Sequence, residues 1–219
     1  MRLTSATSLK TLLVVCFFLT ASLPAYAVDG VVLIDQARAV AGNITPGDAP
    51  GFPVSITRAG SYKLAGNLLA PEGVNGIEIS SSNVTLDLNG FTLAGPAVTL
   101  TVCPDPCFNP PNGITTSFSP TLSGVAIKNG IVYGFAGQIS LGTTRQTLLQ
   151  DLVTSGVPGS IFSPGVNAGL ANVHHVHADG QLSFICPGLV SESVSPFFLR
   201  QGFVSAVTCA VVNSSGQIF

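Results

Sequence analysis

Five short segments of this chain can be laid over one another. They are Gly137-Gln138-Ile139-Ser140, Gly159-Ser160-Ile161-Phe162, Gly180-Gln181-Leu182-Ser183, Gly202-Phe203-Val204-Ser205 and Gly216-Gln217-Ile218-Phe219. The first four begin 22, 21 and 22 residues apart, and the fifth follows after 14. A unit this short cannot bury an apolar face alone, whereas stacked copies can. Small turn residues between β-branched strands therefore predict a β-solenoid. That constrains architecture and leaves activity open, because a fold does not carry a function.

Upstream of the repeat the units are longer. Asn75-Gly76-Ile77-Glu78-Ile79 leads to Val84-Thr85-Leu86-Asp87-Leu88 and Asn89-Gly90-Phe91. Asn112-Gly113-Ile114 leads to Val125-Ala126-Ile127-Lys128 and Asn129-Gly130-Ile131. Each Asn-Gly pair predicts a turn, since both residues tolerate positive φ. The alternating apolar residues around them predict short strands with one face buried. The Pro-rich stretch 95–111 reads as an insertion. Residues 28–59 read as an entry or cap segment, in which Leu33, Ile34, Ala37 and Val40 suit either a helical stripe or a first strand. The solenoid is expected over 60–219.

The first residues predict an export signal: basic Arg2 and Lys10, an apolar run from Leu12 to Leu19, and an Ala25-Tyr26-Ala27 cleavage site. The mature chain is expected to be secreted or periplasmic, with no membrane association after cleavage. Only 8% of the residues are charged, against about 25% in an average globular protein. The formal net charge is −2, and cleavage would remove two bases and no acid. So few basic groups argue against a nucleic-acid partner.

Four cysteines follow the signal: Cys103, Cys107, Cys186 and Cys209. An even count in an exported chain predicts disulfides, and four cysteines allow three connectivities. Cys186 lies six residues after Gly180 and Cys209 seven after Gly202, nearly equivalent places on successive units. Stacked strands lie about 4.8 Å apart, within the bridged Cα separation of about 4.4 to 6.8 Å. The expected pairs are Cys186–Cys209 and Cys103–Cys107. The three-residue gap between Cys103 and Cys107 also suits a zinc site, but no second close pair completes one, so no metal is expected.

Aligning Ile131, Val153, Val176, Val194 and Val211 sets Asn129, Asp151, His174, Glu192 and Cys209 in one column, where the chain bends between strands. Polar side chains there can satisfy turn backbone groups. At this point the chain resembles the right-handed parallel β-helix proteins of the pectin-lyase-like superfamily. The carrying segments are Gly60-Ser61-Tyr62-Lys63-Leu64, Asn83-Val84-Thr85-Leu86-Asp87-Leu88-Asn89-Gly90-Phe91 and Ile127-Lys128-Asn129-Gly130-Ile131-Val132-Tyr133-Gly134-Phe135. They are similar to secreted bacterial β-helix repeat proteins of undefined activity. The resemblance implies an all-β fold, a single right-handed parallel β-helix of about six or seven coils.

The resemblance implies no single activity, because that superfamily holds polysaccharide lyases, glycoside hydrolases, epimerases and members with no known reaction. Its galacturonan hydrolases carry paired aspartates, a Gly-His-Gly and an Arg-Ile-Lys. This chain has no Asp-Asp and no Gly-His-Gly, and Ile127-Lys128 is a fragment of the third motif. The three histidines, His174, His175 and His177, fall within four residues. On a regular strand His175 and His177 share one face and His174 takes the other. Asp151, His174 and Glu192 are the candidate acid–base residues. His175, His177 and Asp179 are the candidate binding residues.

The expected function is a secreted, non-catalytic module that binds a polysaccharide or cell-surface glycan or serves as a structural module. The alternative is a polysaccharide-active enzyme, a lyase or a glycoside hydrolase. No cofactor is expected, and Ca²⁺ enters only if the chain is a lyase. The last segment opens a further coil, so self-association through the C-terminal coil is a second expected partnership.

Overall fold

The computed structural model describes residues 30–96, 111–117, 121–141, 144–155, 165–168, 171–179, 181–185, 188–201 and 209–218. The export signal, Cys103, Cys107 and Cys186 lie outside the described residues, as does most of the Pro-rich insertion. The chain is mainly β, with extensive parallel pairing.

The strands stack in three rows. The first holds β1 (Val31–Ile34), β3 (Gly60–Leu64) and β6 (Val84–Asp87). It continues through the first halves of β9 (Val125–Tyr133), β11 (Thr147–Ser155) and β13 (Ala171–Ala178), then β15 (Gly188–Ser191) and β17 (Cys209–Val212). The second holds β4 (Leu68–Leu69), β7 (Thr92–Ala94), the later halves of β9, β11 and β13, and the start of β16 (Val194–Gln201). The third holds β2 (Val54–Ile56), β5 (Ile77–Ile79), β8 (Asn112–Thr116) and β10 (Gly137–Leu141). It continues through β12 (Gly165–Ala168), β14 (Gln181–Ile185), the rest of β16, and β18 (Ser215–Ile218).

Register turns this stacking into a core. In the first row Tyr62, Leu86, Ile127, Leu149, Val173 and Val190 lie over one another, all 2% exposed or less. In the second, Leu68, Leu93, Val132, Thr154, Ala178 and Ser195 are equally buried. In the third, Val54, Ile77, Ile114 and Ile139 align and are buried. Each rung thus adds aliphatic surface to a shared interior, stabilising by about 25 cal/mol per Å² removed from water.

The repeat holds in this register with a correction. Ile139, Leu182 and Ile218 do share a column, but Val166 and Phe198 occupy the rungs between them. Residues 159–162 and 202–205 lie outside the described residues. Rung length varies along the chain, so an average period near 22 picks the right strands at some rungs and misses them at others.

The entry segment uses both of its expected forms. β1 pairs with β3, which carries the parallel pairing back to Val31. Then α1 (Gln36–Ala41) is capped by Asp35, whose side chain accepts from the Arg38 N–H at 2.8 Å. Gln36 docks it on β4, donating to the Leu69 carbonyl at 3.2 Å and accepting from the Leu69 N–H at 2.8 Å. The following turn is held by Asp48, 4% exposed, which accepts from Ile44 N at 3.0 Å and Ser55 N at 2.7 Å.

The Asn-Gly pairs split into two kinds. Asn89, Gly90 and Asn129 take positive φ as expected. Asn75-Gly76 and Asn112-Gly113 do not; there the glycine serves close approach instead. A Cβ on Gly76 would meet the Gly113 carbonyl at 2.6 Å, and one on Gly113 would meet Gln138 O at the same distance. Gly130 faces inward, where a Cβ would sit 2.3 Å from Leu88 Cβ and 2.8 Å from Phe91 O. Gly130→Ala is therefore expected to cost about 1–3 kcal/mol by overpacking. Chemical denaturation should show this as a lower midpoint at unchanged slope. An unchanged midpoint would mean that the bend relaxes freely.

Candidate functional site

β9, β11 and β13 each run from the first row into the second without a loop. Each makes the corner with one residue in the left-handed region. The rung before β9 turns after Asp87 through Leu88, Asn89 (φ 55°) and Gly90 (79°); on the later rungs the corner residues are Asn129 (59°), Asp151 (52°), His175 (52°), Glu192 (49°) and Asn213 (49°). Asn, Asp and His are the non-glycine types that tolerate this conformation best. The corner also resets the alternation of the strand. In β13, Val173 points in, His174 and His175 both point out, and Val176 points in again. β11 repeats this with Leu149, Gln150, Asp151 and Leu152. Two adjacent outward side chains per rung form a polar ridge.

This corrects the sequence-based column. Asn129, Asp151 and Glu192 are in it, but its histidine is His175 rather than His174, and its last member is Asn213 rather than Cys209. The 24-residue spacing from Asp151 to His175 shifts the alignment by one. Cys209 lies in the first row opposite Gly188. His177 lies beyond the corner, opposite Val153 and Val194. All three histidines reach the outer surface, against the split of faces expected for a regular strand.

The ridge is connected from rung to rung. Asp87 Oδ1 accepts from Asn89 N at 2.8 Å and from Asn129 Nδ2 at 3.1 Å, and Lys128 Nζ lies 3.8 Å from Asp87 Oδ2. Gln150 Nε2 donates to Asp151 Oδ2 at 2.9 Å, while His175 Nδ1 meets Asp151 Oδ1 at 2.8 Å. His174 Nδ1 lies 3.0 Å from Ser191 Oγ, and its Nε2 lies 3.7 Å from Glu192 Oε2. His177 Nε2 lies 3.8 Å from Asp179 Oδ1. Each histidine thus has its own carboxylate. The hydrogen bond from His175 holds the Asp151 carboxyl below its ordinary value; slight desolvation opposes this and Gln150 reinforces it.

The candidate acid–base residues are therefore near one another in altered pairs. Asp151 belongs with His175, and His174 belongs with Glu192. Among the described residues no three His, Cys, Asp or Glu side chains converge as a metal would need. Gln150 and Ser191 were missed by sequence reasoning. Their signal was their place immediately before the corner residues Asp151 and Glu192, which becomes visible only once the corner is recognised. Away from the ridge, a groove of about 730 Å³ is lined by Val40, Phe52, Leu69, Pro71 and Tyr133, among others. No described helix is long and apolar enough to cross a membrane.

Comparison of the chain with protein-family models, with curated proteins and with solved structures finds no match in any of the three.

The corner geometry separates backbone roles from chemical ones. His175→Asn is expected to leave stability nearly unchanged, because Asn fills the same corner at Asn129 and Asn213. His175→Val, β-branched in a left-handed site, should cost about 1–2 kcal/mol. Equal denaturation midpoints for the two variants would remove the corner argument. A second expectation concerns pH. Asp151 titrates lower folded than unfolded, so its contribution is complete above the ordinary value and fades as pH falls through the lowered one. The NMR titration of its carboxyl carbon should move upward in His175→Ala. An unmoved titration would deny the hydrogen bond its role.

Proposed function

We propose that this chain is a secreted right-handed parallel β-helix that binds an extended glycan along its polar ridge. The observation that carries this reading is the column beside the corner. Corner residues answer to the backbone. Their neighbours Lys128, Gln150, His174 and Ser191 do not, yet they are polar on four successive rungs and partly exposed. At a rung spacing of about 4.8 Å they give a linear series of donors and acceptors. Exposed aliphatic residues flank it, Leu148 and Leu189 on one side and Ile131, Val153 and Val194 on the other. Hydroxyls and apolar C–H faces of a sugar chain would both find partners on such a surface. The parallel stacking in three rows and the resemblance to secreted β-helix proteins support the fold half of the reading.

One observation favours a second reading, a polysaccharide-active enzyme: the Asp151–His175 pair, oriented by Gln150 and open to solvent. A general base held in this way is a reasonable acid–base catalyst. The lyase form would also need carboxylates gathered for Ca²⁺.

A glycan array on the mature protein, with product analysis in the presence and absence of Ca²⁺, separates the readings. Binding without chain-cleavage products is expected. Lys128→Ala and Gln150→Ala should each weaken binding about tenfold, roughly the 1.4 kcal/mol of one hydrogen bond lost. Binding unaffected by either change would move the site off the ridge, and chain cleavage would favour the enzyme.

A further inference from the structure

His174 makes two contacts that together define a chemistry. Its Nδ1 lies 3.0 Å from Ser191 Oγ, and its Nε2 faces Glu192 Oε2 at 3.7 Å. A carboxylate beside Nε2 favours the tautomer that carries its proton there. That leaves Nδ1 unprotonated and placed to accept from the serine hydroxyl. This is the order of a nucleophile, a base and an orienting carboxylate, which is recognised by roles and geometry rather than by position in the chain. The Glu192 contact is long for a hydrogen bond, as such contacts commonly are before substrate binds.

The support beneath the three groups is rigid. His174 and Ser191 are direct register partners on neighbouring strands. Each follows a core residue, Val173 at 1% and Val190 at 0% exposure. Ser193, also 1% exposed, donates to the Ser191 carbonyl at 2.9 Å and accepts from Val176 N at 3.1 Å, fixing the corner between Ser191 and Val194. It is a positioning residue. The adjoining Asp151–His175 pair is separate, because Asp151 already occupies His175 Nδ1.

We propose that Ser191, His174 and Glu192 form a hydrolytic relay for acyl esters, and that its natural substrate class is O-acyl groups carried by a glycan. The substrate rests on the glycan-binding reading; the relay does not. Ser191 Oγ attacks the ester carbonyl carbon while its proton passes to His174 Nδ1. The tetrahedral intermediate collapses, the C–O bond to the sugar breaks, and the sugar oxygen takes the proton from His174. Water, deprotonated by His174, then attacks the acyl-serine. The carboxylic acid leaves and Ser191 recovers its proton. The sum is ester plus water to acid plus alcohol, with no redox change and no cofactor.

The test uses the mature protein, a fluorophosphonate probe and p-nitrophenyl acetate, neither of which needs a glycan. The expected result is a phosphonyl adduct mapped by mass spectrometry to Ser191. Adduct formation should be lost in Ser191→Ala and at least 100-fold slower in His174→Asn. Ester hydrolysis should fall in parallel, with Glu192→Gln about tenfold slower. Circular dichroism of each variant reports whether the fold is kept. If His174→Asn fails to fold, the Glu192→Gln rate and the Ser191 adduct decide the matter. Wild-type protein with no adduct at Ser191 overturns the relay, and so does an adduct formed equally fast in a folded His174→Asn. Labelling at Ser191 with no binding on the glycan array would keep the relay and reject its proposed substrate.

Discussion

The left-handed corner residue is the constraint from which the rest follows. Parallel strands can stack in rows only if each rung turns between rows at the same place. In β9, β11 and β13 the turn is made by a single residue without a loop. The cost of the left-handed region, about 1–2 kcal/mol for an ordinary L-residue, restricts that position to a few types. Glu192 is the unfavoured member, and its corner is braced by Ser193, whose hydroxyl accepts from Val176 N and donates to the Ser191 carbonyl and whose N–H donates to Ser214 Oγ on the next rung. The corner then breaks the two-residue alternation and sends two consecutive side chains outward. The outer ridge is a geometrical by-product of keeping the aliphatic columns in register.

How much was legible in the sequence follows from the same break. Strands such as Ile77–Ile79 and Val84–Asp87 alternate simply, and the expected burial is what they show. The corner positions Asn129 and Asp151 were readable because Asn-Gly marks the first and a 22-residue step leads to the second. The next step is 24, and there the alignment chose His174 over its neighbour. Two histidines in a row offer no compositional reason to prefer either. The preference comes from Val173 and Val176, which must both point inward across the corner. That is a three-dimensional requirement, and a fixed period does not contain it.

Polarity inside the stack was hidden for a related reason. Along the second row the inward residue changes from Leu93 and Val132 to Thr154, Ala178 and Ser195. A Thr or Ser on a strand normally reads as outward. Thr154 and Ser195 are instead 1% exposed, and the Thr154 hydroxyl has no partner among the described residues. Along this row the side chains become smaller and more polar toward the later rungs, so the row buries less apolar surface there than at Leu93 and Val132. Each residue lost from the aliphatic column forgoes part of the roughly 1.5–3 kcal/mol of a buried Leu or Val. In this row the rungs bearing the histidines therefore gain less from apolar burial than the rungs of Leu93 and Val132.

That balance bears on where chemistry can arise in such a chain. Inward columns answer to packing and the corner column answers to φ. The column just before the corner answers to neither, since its side chains point to solvent from regular strand backbone. It reads Asp87, Lys128, Gln150, His174, Ser191 and Val212, six different residue types on six rungs. A purely structural ladder would favour repetition, as the corner does with its three asparagines. Variation at fixed spacing on a rigid support places unlike groups within hydrogen-bonding reach, as with His174 and Ser191. Any function this chain has beyond folding is best sought along that column.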